Sequence, residues 1–381
     1  NVHQNDKGEW VMEETVTKIV PRGSYTTTRE VALQVVDQSP ERLEDDAWKK
    51  AQAARSEWAS KINDQAVAAK QATLDEARAD HDAWLRTHAD GAANQTAAPT
   101  WAPLQAAQAD FDQVKGAQVA TANVQARADS DALLAALSPR LRNDGQALYT
   151  LFSDPEKAKT LAQPMINDWY ARTGGQAVQM QGRTDVANRV SFALGWQPSD
   201  GFNASSPYAQ QRMQGEDLFK GLSTEQQELR DKVVDQIVAQ GGENARVTSI
   251  PVIYALGGEK GGIVQTALFK VERPGSGGVT YVDEQGRTYK DMEDYRAHNT
   301  LPADGVNLVM PEDGEFTLDD KGNVKLFAGD ARTEEWHEQL RRELHLDVVV
   351  GVVGLVAGVV VTVGSLGTLS VPGGLMIAGS A

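Results

Sequence analysis

Cysteine is absent from all 381 residues, which excludes disulfides, a thiolate nucleophile, cysteine-ligated zinc and iron–sulfur clusters. Redox chemistry loses most of its usual instruments. The absence does not choose a compartment, because a chain this long does not depend on disulfide staples to fold. Positive charge is in deficit as well: 37 Lys and Arg against 53 Asp and Glu leave a net charge of −16, which disfavours a grip on nucleic-acid phosphates. No nucleic-acid partner is expected. Asn1 to Trp10 lack the basic and apolar regions of a secretory leader, and the chain stops at Ala381 within an apolar stretch, so it reads as part of a longer protein.

Catalytic signatures are missing too. There is no G-x-S-x-G elbow, and the Gly257 to Gly262 loop is not followed by the Lys-Ser/Thr and helix of a phosphate-binding loop. His337 and Glu338 open like a zinc-protease helix, but Arg341 stands where the second histidine is required. The acidic turns at Asp283 and Asp319 lack the alternating ligands of a calcium loop. Neither a cofactor nor a metal is expected. The least implausible catalytic groups are Tyr289, Asp294 and His298, where a carboxylate and a histidine fall within one short helix. The simpler reading of His298 is an exposed residue near a helix end.

What is present is organisation. The length calls for two or three domains, and the fold class reads as α+β and mainly helical. In residues 1–40, Glu9 to Val20 and Tyr25 to Val36 are Val/Thr/Ile-rich runs separated by Pro21, Arg22, Gly23 and Ser24, a β-hairpin. Residues 41–137 form a long helical hairpin: one continuous Ala-rich helix from Leu43 to about His88, a breaker from Asp90 to Pro103, and a second helix from Leu104 to Leu137. The expected seam of the first helix is Trp48, Ala51, Arg55, Trp58, Ile62, Gln65, Ala69 and Ala72.

Residues 138–243 make a helical domain, with a start at Asp154-Pro155 and a capping box at Ser223 and Gln226. Ser199 to Tyr208 reads as a loop within it. Residues 244–346 are a small α+β module in which Val247 to Leu256 pairs with Ile263 to Val271, Val279 to Val282 with Arg287 to Tyr289, and Glu315 to Leu318 with Val324 to Phe327. It also holds a helix at Lys290 to Asn299 and an amphipathic one at Thr333 to Leu346.

The tail, residues 347–381, is the strongest single signal. No charged residue occurs from Val348 to Ala381, and Val348 to Leu369 reaches the ~20 apolar residues that cross a bilayer core. Gly351, Gly354 and Gly358 put small residues along a helix at the spacing that lets membrane helices approach. Val371 to Gly374 then breaks the run, the pattern of a membrane hairpin, so membrane lipid is the expected partner through 348–381. A buried Val- and Gly-rich core segment is the competing expectation.

Val279 to Pro302, V-T-Y-V-D-E-Q-G-R-T-Y-K-D-M-E-D-Y-R-A-H-N-T-L-P, resembles a segment of an uncharacterised domain in large multidomain bacterial secreted effector and toxin-like proteins. The likeness spans about Thr248 to Pro311 and carries no catalytic assignment. It implies context: a secreted or delivered, membrane-associated virulence protein, here in its non-catalytic delivery portion, with a chaperone or secretion machine as a further partner. The alternatives are a soluble hydrolase-like enzyme with its site in the α+β module, or a helical scaffold.

Overall fold

The computed structural model describes residues 2–7, 10–21, 23–32, 39–62, 65–88, 96–143, 147–173, 177–196, 198, 215–256, 262–299, 301, 307–312, 314, 317, 324–330 and 360–362. The chain divides into two compact units, Asn1–Asp46 and Ala47–Ala381.

The first unit is a three-stranded antiparallel sheet in the order β1 (Val2–Gln4), β2 (Trp10–Val20), β3 (Gly23–Ala32). The expected hairpin is there, with Val20 paired to Gly23 across the turn, and β1 adds a third strand across the turn at Asn5 to Lys7. Nearly every described side chain of β3 is exposed, and Ile19 of β2 is 88% exposed, so the ribbon has little core of its own.

In the second unit the helices are α1 (Pro40–Ile62, begun in the first unit), α2 (Gln65–Thr87), α3 (Trp101–Asn143), α4 (Ala147–Phe152), α5 (Pro155–Thr173), α6 (Arg183–Ala193), α7 (Thr224–Gly241) and α8 (Met292–His298). The one long helix expected from Leu43 to His88 is therefore two. Of its predicted seam, Trp48, Ala51, Arg55 and Trp58 are buried, whereas Gln65, Ala69 and Ala72 are exposed. The buried face of α2 is instead Val67, Leu74, His81 and Leu85. Separate helices have separate phases, so a seam extrapolated through residues 63–64 points the wrong way. The antiparallel hairpin itself is formed by α2 and α3, tied by Lys70 to Asp110 at 2.7 Å.

Strands β4 (Val178–Gln179), β5 (Arg246–Leu256), β6 (Gly262–Glu272), β7 (Val279–Asp283), β8 (Thr288–Tyr289), β9 (Asn307–Pro311), β10 (Leu326–Asp330) and β11 (Val360–Thr362) make one sheet. Its path is β10-β9-β5-β6-β7-β8, with β4 on β5 and β11 on β6. The β5–β6 and β7–β8 pairings follow expectation. β10 also has a neighbour that was not expected, β9, with Phe327 opposite Met310; of its expected partner Glu315 to Leu318 only Thr317 lies among the described residues, and its carbonyl accepts from the Lys325 amide.

Side-chain alternation divides the sheet's two faces. Val247, Ile253, Ala267, Phe269, Val271, Val282 and Val309 point to the side of the helices α1 and α3 to α7, where Trp58, Leu137, Ile166, Trp169 and Val234 meet them. Ile250, Val252, Tyr254, Leu268, Tyr281, Leu308 and Met310 point to the other side, under α8 and its Tyr295. Trp169 also fixes α5 to the sheet by donating its indole N–H to the Ser249 carbonyl, 3.1 Å. The helix ends follow the sequence: Asp154 accepts from the amides of Glu156 and Lys157, and Ser223 and Gln226 cap each other reciprocally.

At the close of α7, a Cβ on Gly241 would stand 2.5 Å from the Ala245 Cβ and 2.7 Å from Val271 Cγ1. Helix and strand touch there with no room for a methyl group. Gly241→Ala is expected to lower stability by about 1 to 3 kcal/mol through overpacking, read as an earlier urea midpoint; an unchanged midpoint would count against this close approach.

Of the tail, only Val360–Thr362 is described, and it is a strand antiparallel to Gly262–Val264 of β6, where the expectation was an apolar helix. The β-branched Val-Val-Thr run favours extended backbone, and β6 offers it a ladder beyond the end of β7. Among the described residues no helix is long and apolar enough to cross a membrane. Gly351, Gly354, Gly358, the amphipathic segment Thr333 to Leu346 and the loop Ser199 to Tyr208 lie outside the described residues.

Candidate functional site

The three residues singled out in the α+β module are placed in two different settings. Asp283 ends β7 with no exposed surface, and its carboxylate accepts from the backbone amides of Gln285 (2.9 Å) and Arg287 (2.8 Å) and from the Tyr289 hydroxyl (2.7 Å). Gly286, at φ 74°, supplies the left-handed residue that closes this turn. Burial, followed by the charge of Asp283 and the hydrogen bond to it, pushes the Tyr289 phenol far above its ordinary range. Its ring meets Tyr295 edge-on at 5.1 Å. Tyr289 is thus a neutral donor committed to a turn, with its hydroxyl directed inward.

Asp294 and His298 do come together. They are one turn apart on α8, with His298 Nδ1 2.8 Å from Asp294 Oδ1, and the histidine side chain is 57% exposed. Asp294 also accepts from the Lys290 amide, and Asp291 caps the helix by accepting from the Asp294 amide. The Lys290 amide first, then His298, holds the Asp294 carboxyl below its ordinary value. Arg296 lies over Phe327 at 4.0 Å and donates to the Glu312 carbonyl, fastening α8 to β10. Chemically this is a carboxylate orienting an imidazole at the surface, an arrangement suited to proton transfer.

A denser set of ionisable groups lies where the α2–α3 hairpin meets β4, β5, β6 and α6, and the sequence reading did not find it. Arg246 of β5 makes a bidentate pair with Asp82 of α2, at 2.9 and 3.2 Å, and reaches Glu272 of β6 at 3.6 Å. Lys270 approaches Glu272 at 3.4 Å. Arg78 of α2 donates to Gln108 of α3 and to the Ala177 carbonyl, and Gln108 donates to Asp112 at 2.9 Å. Asp112 and Arg78 both interact electrostatically with their neighbours: Asp112 with Arg189 of α6, which also faces Asp185. Burial pushes Asp112 and Asp185 up to about 6 and Arg78 down to about 10.

The sequence did carry one signal of this layer. Arg78 falls four residues after Leu74 on the buried face of α2, and Gln108 and Lys115 fall on the face of α3 that holds Leu104 and Phe111. Charges and amides at seam positions mark a helix that packs on something polar. Among the described residues no group of three or more His, Asp or Glu side chains is placed to hold a metal ion.

Residues 265–381 match a family described as a domain of unknown function, DUF4781, a stretch that contains all of Val279 to Pro302 and both the Asp283 turn and the Asp294–His298 pair. No curated protein and no solved structure matches the chain.

Proposed function

We propose that this chain is a non-catalytic delivery portion of a bacterial secreted effector or toxin, and that its tail associates with lipid. The observation that carries this reading is the run of residues from Val348 to Ala381 without a single charge, joined to an otherwise acidic protein of net charge −16. Such a segment has no charge to desolvate on entering hydrocarbon and, once Val360–Thr362 leaves its ladder on β6, has the length to reach across it. The family match supports treating the tail as part of the α+β module, because it runs from β6 through the module to residue 381. Among the described residues the module's most deeply buried carboxylate, Asp283, is occupied in holding a turn, which fits a scaffold better than a reaction centre. The acidic body opposes approach to anionic lipid at neutral pH. A chaperone, a secretion machine or acidification is therefore assigned the task of delivering the tail.

Flotation with liposomes tests the proposal. The full chain is expected to float with zwitterionic vesicles and a chain lacking 348–381 to stay at the bottom, at pH 7 and more strongly at pH 5. Equal behaviour of the two chains at both pH values would overturn it.

A further inference from the structure

The ribbon of the first unit is divided along its length by charge. From Thr15 to Arg29 the sequence holds Lys18, Arg22 and Arg29 and no carboxylate, in a chain whose net charge is −16. The acids of its two long strands, Glu13, Glu14 and Glu30, all fall in the half away from the β2–β3 turn. Glu14 is moreover engaged with the Arg29 guanidinium at 2.7 Å. Lys18 lies four residues further on, about 13 Å along the strand, beyond the ~10 Å over which charge is felt at 0.1 M salt. The turn end of the ribbon is a local cation on an anionic protein.

Apolar groups gather at the same end. An exposed isoleucine alone is ordinary, but Ile19, at 88% exposed, opens the run Ile19-Val20-Pro21, and Pro21 is exposed as well, with Tyr25 at 51%. The register sets Ser24 beside Ile19 on one face and Tyr25 beside Lys18 on the other. Apolar surface therefore surrounds the end instead of lying along one face. Ile19, Pro21 and Tyr25 together expose roughly 300 Å², against the ~800 Å² that each side of a stable protein pair covers. A small projecting end suits a lipid interface better, where aliphatic groups sink below the headgroups while a tyrosine hydroxyl and an ammonium stay among them.

We propose that the turn end of the β2–β3 ribbon is an interfacial anchor for anionic lipid, entering end-on with Ile19 below the phosphates and Lys18 among them. The anchor is separate from the uncharged tail and goes beyond the function proposed above: the tail enters hydrocarbon, and the ribbon end selects lipid charge. The net charge of −16 still opposes the approach of the whole chain to anionic vesicles. The anchor is therefore read as a local signal and as a difference between variants on one lipid.

The chain has no cysteine, so a single environment-sensitive fluorophore can be placed at will. Ser24→Cys puts it beside Ile19, and Asp6→Cys, exposed in the β1–β2 turn at the opposite end of the ribbon, is the reference. In the full chain at pH 7 and low salt, vesicles of phosphatidylcholine with a minority of phosphatidylglycerol are expected to shift the Ser24 probe to the blue. Pure phosphatidylcholine is expected to shift it much less, and the Asp6 probe to respond to neither. In the Ser24-labelled chain, Lys18→Glu is expected to weaken half-saturation on the anionic vesicles by about tenfold or more, and Ile19→Asn to remove the blue shift. A Ser24 response equal on both lipids, or absent on both, would overturn the anchor. So would a response of the same size to soluble polyglutamate or to rising protein concentration without vesicles, which would assign the end to an acidic protein or to a second copy. Tail-dependent flotation is a separate measurement, whose failure would sink the proposed function and leave the Ser24 comparison standing.

Discussion

Asp283→Ala is expected to destabilise the second unit by about 3 to 5 kcal/mol, the largest effect of any single polar substitution in the α+β module. The estimate rests on three hydrogen bonds to one buried carboxylate, each worth about 1.5 to 3 kcal/mol when the acceptor is charged, with part of the sum recovered as the loop relaxes. Two of the donors are backbone amides of the β7–β8 turn, which alanine would leave without their acceptor. Tyr289 is 4% exposed and its hydroxyl would lose the same acceptor. A graded series checks the mechanism by urea denaturation followed by tryptophan fluorescence. Tyr289→Phe removes one donor and should cost about 1 to 2 kcal/mol. Asp283→Asn keeps one acceptor oxygen and should fall between the two. An alanine variant within about 1 kcal/mol of wild type would show that the turn is held by its backbone alone.

The same turn shows what the sequence made legible. Asp283 to Gly286 between two Val/Tyr/Thr runs announces a hairpin because glycine at positive φ is a local requirement of the turn, and the structure places Tyr281 opposite Tyr289 as that pairing demands. The capping box at Ser223 and the Asp154 start of α5 were legible for the same reason. The α+β class follows from such local signals. What was not legible depended on distant partners. Nothing near Leu326 says that its ladder is Asn307–Pro311, and nothing near Asp82 says that Arg246, 164 positions away, will pair with it. The division into α1 and α2 was hidden differently: the Ala-, Lys- and Gln-rich texture continues through Asn63 and Asp64, so composition alone favoured one helix. In the candidate site, spacing on one helix was enough to bring Asp294 and His298 together. Tyr289, on a strand, was drawn inward by a carboxylate that sequence proximity had assigned only to a turn.

Leu355→Asp is expected to weaken lipid association of the full chain on the order of 100-fold. Under the proposed function Leu355 lies near the middle of the uncharged run from Val348 to Leu369, where an aspartate costs about 2.5 to 3.5 kcal/mol in hydrocarbon, and every 1.4 kcal/mol is about tenfold in partitioning. The substitution tests the tail without shortening the chain. Leu355→Ala, which removes apolar surface but adds no charge, should cost far less, and the gap between the two variants measures insertion against surface adhesion. Lipid composition separates the roles of body and tail. Because the net charge is −16, wild-type binding at pH 7 should be weaker on anionic than on zwitterionic vesicles at low salt, and the difference should shrink as salt screens it. Acidification lowers the repulsion felt by the whole chain and should narrow the same difference. Equal flotation of Leu355→Asp and wild type would mean that the uncharged run does not enter the bilayer, and the stretch would then have to find its apolar surroundings within protein.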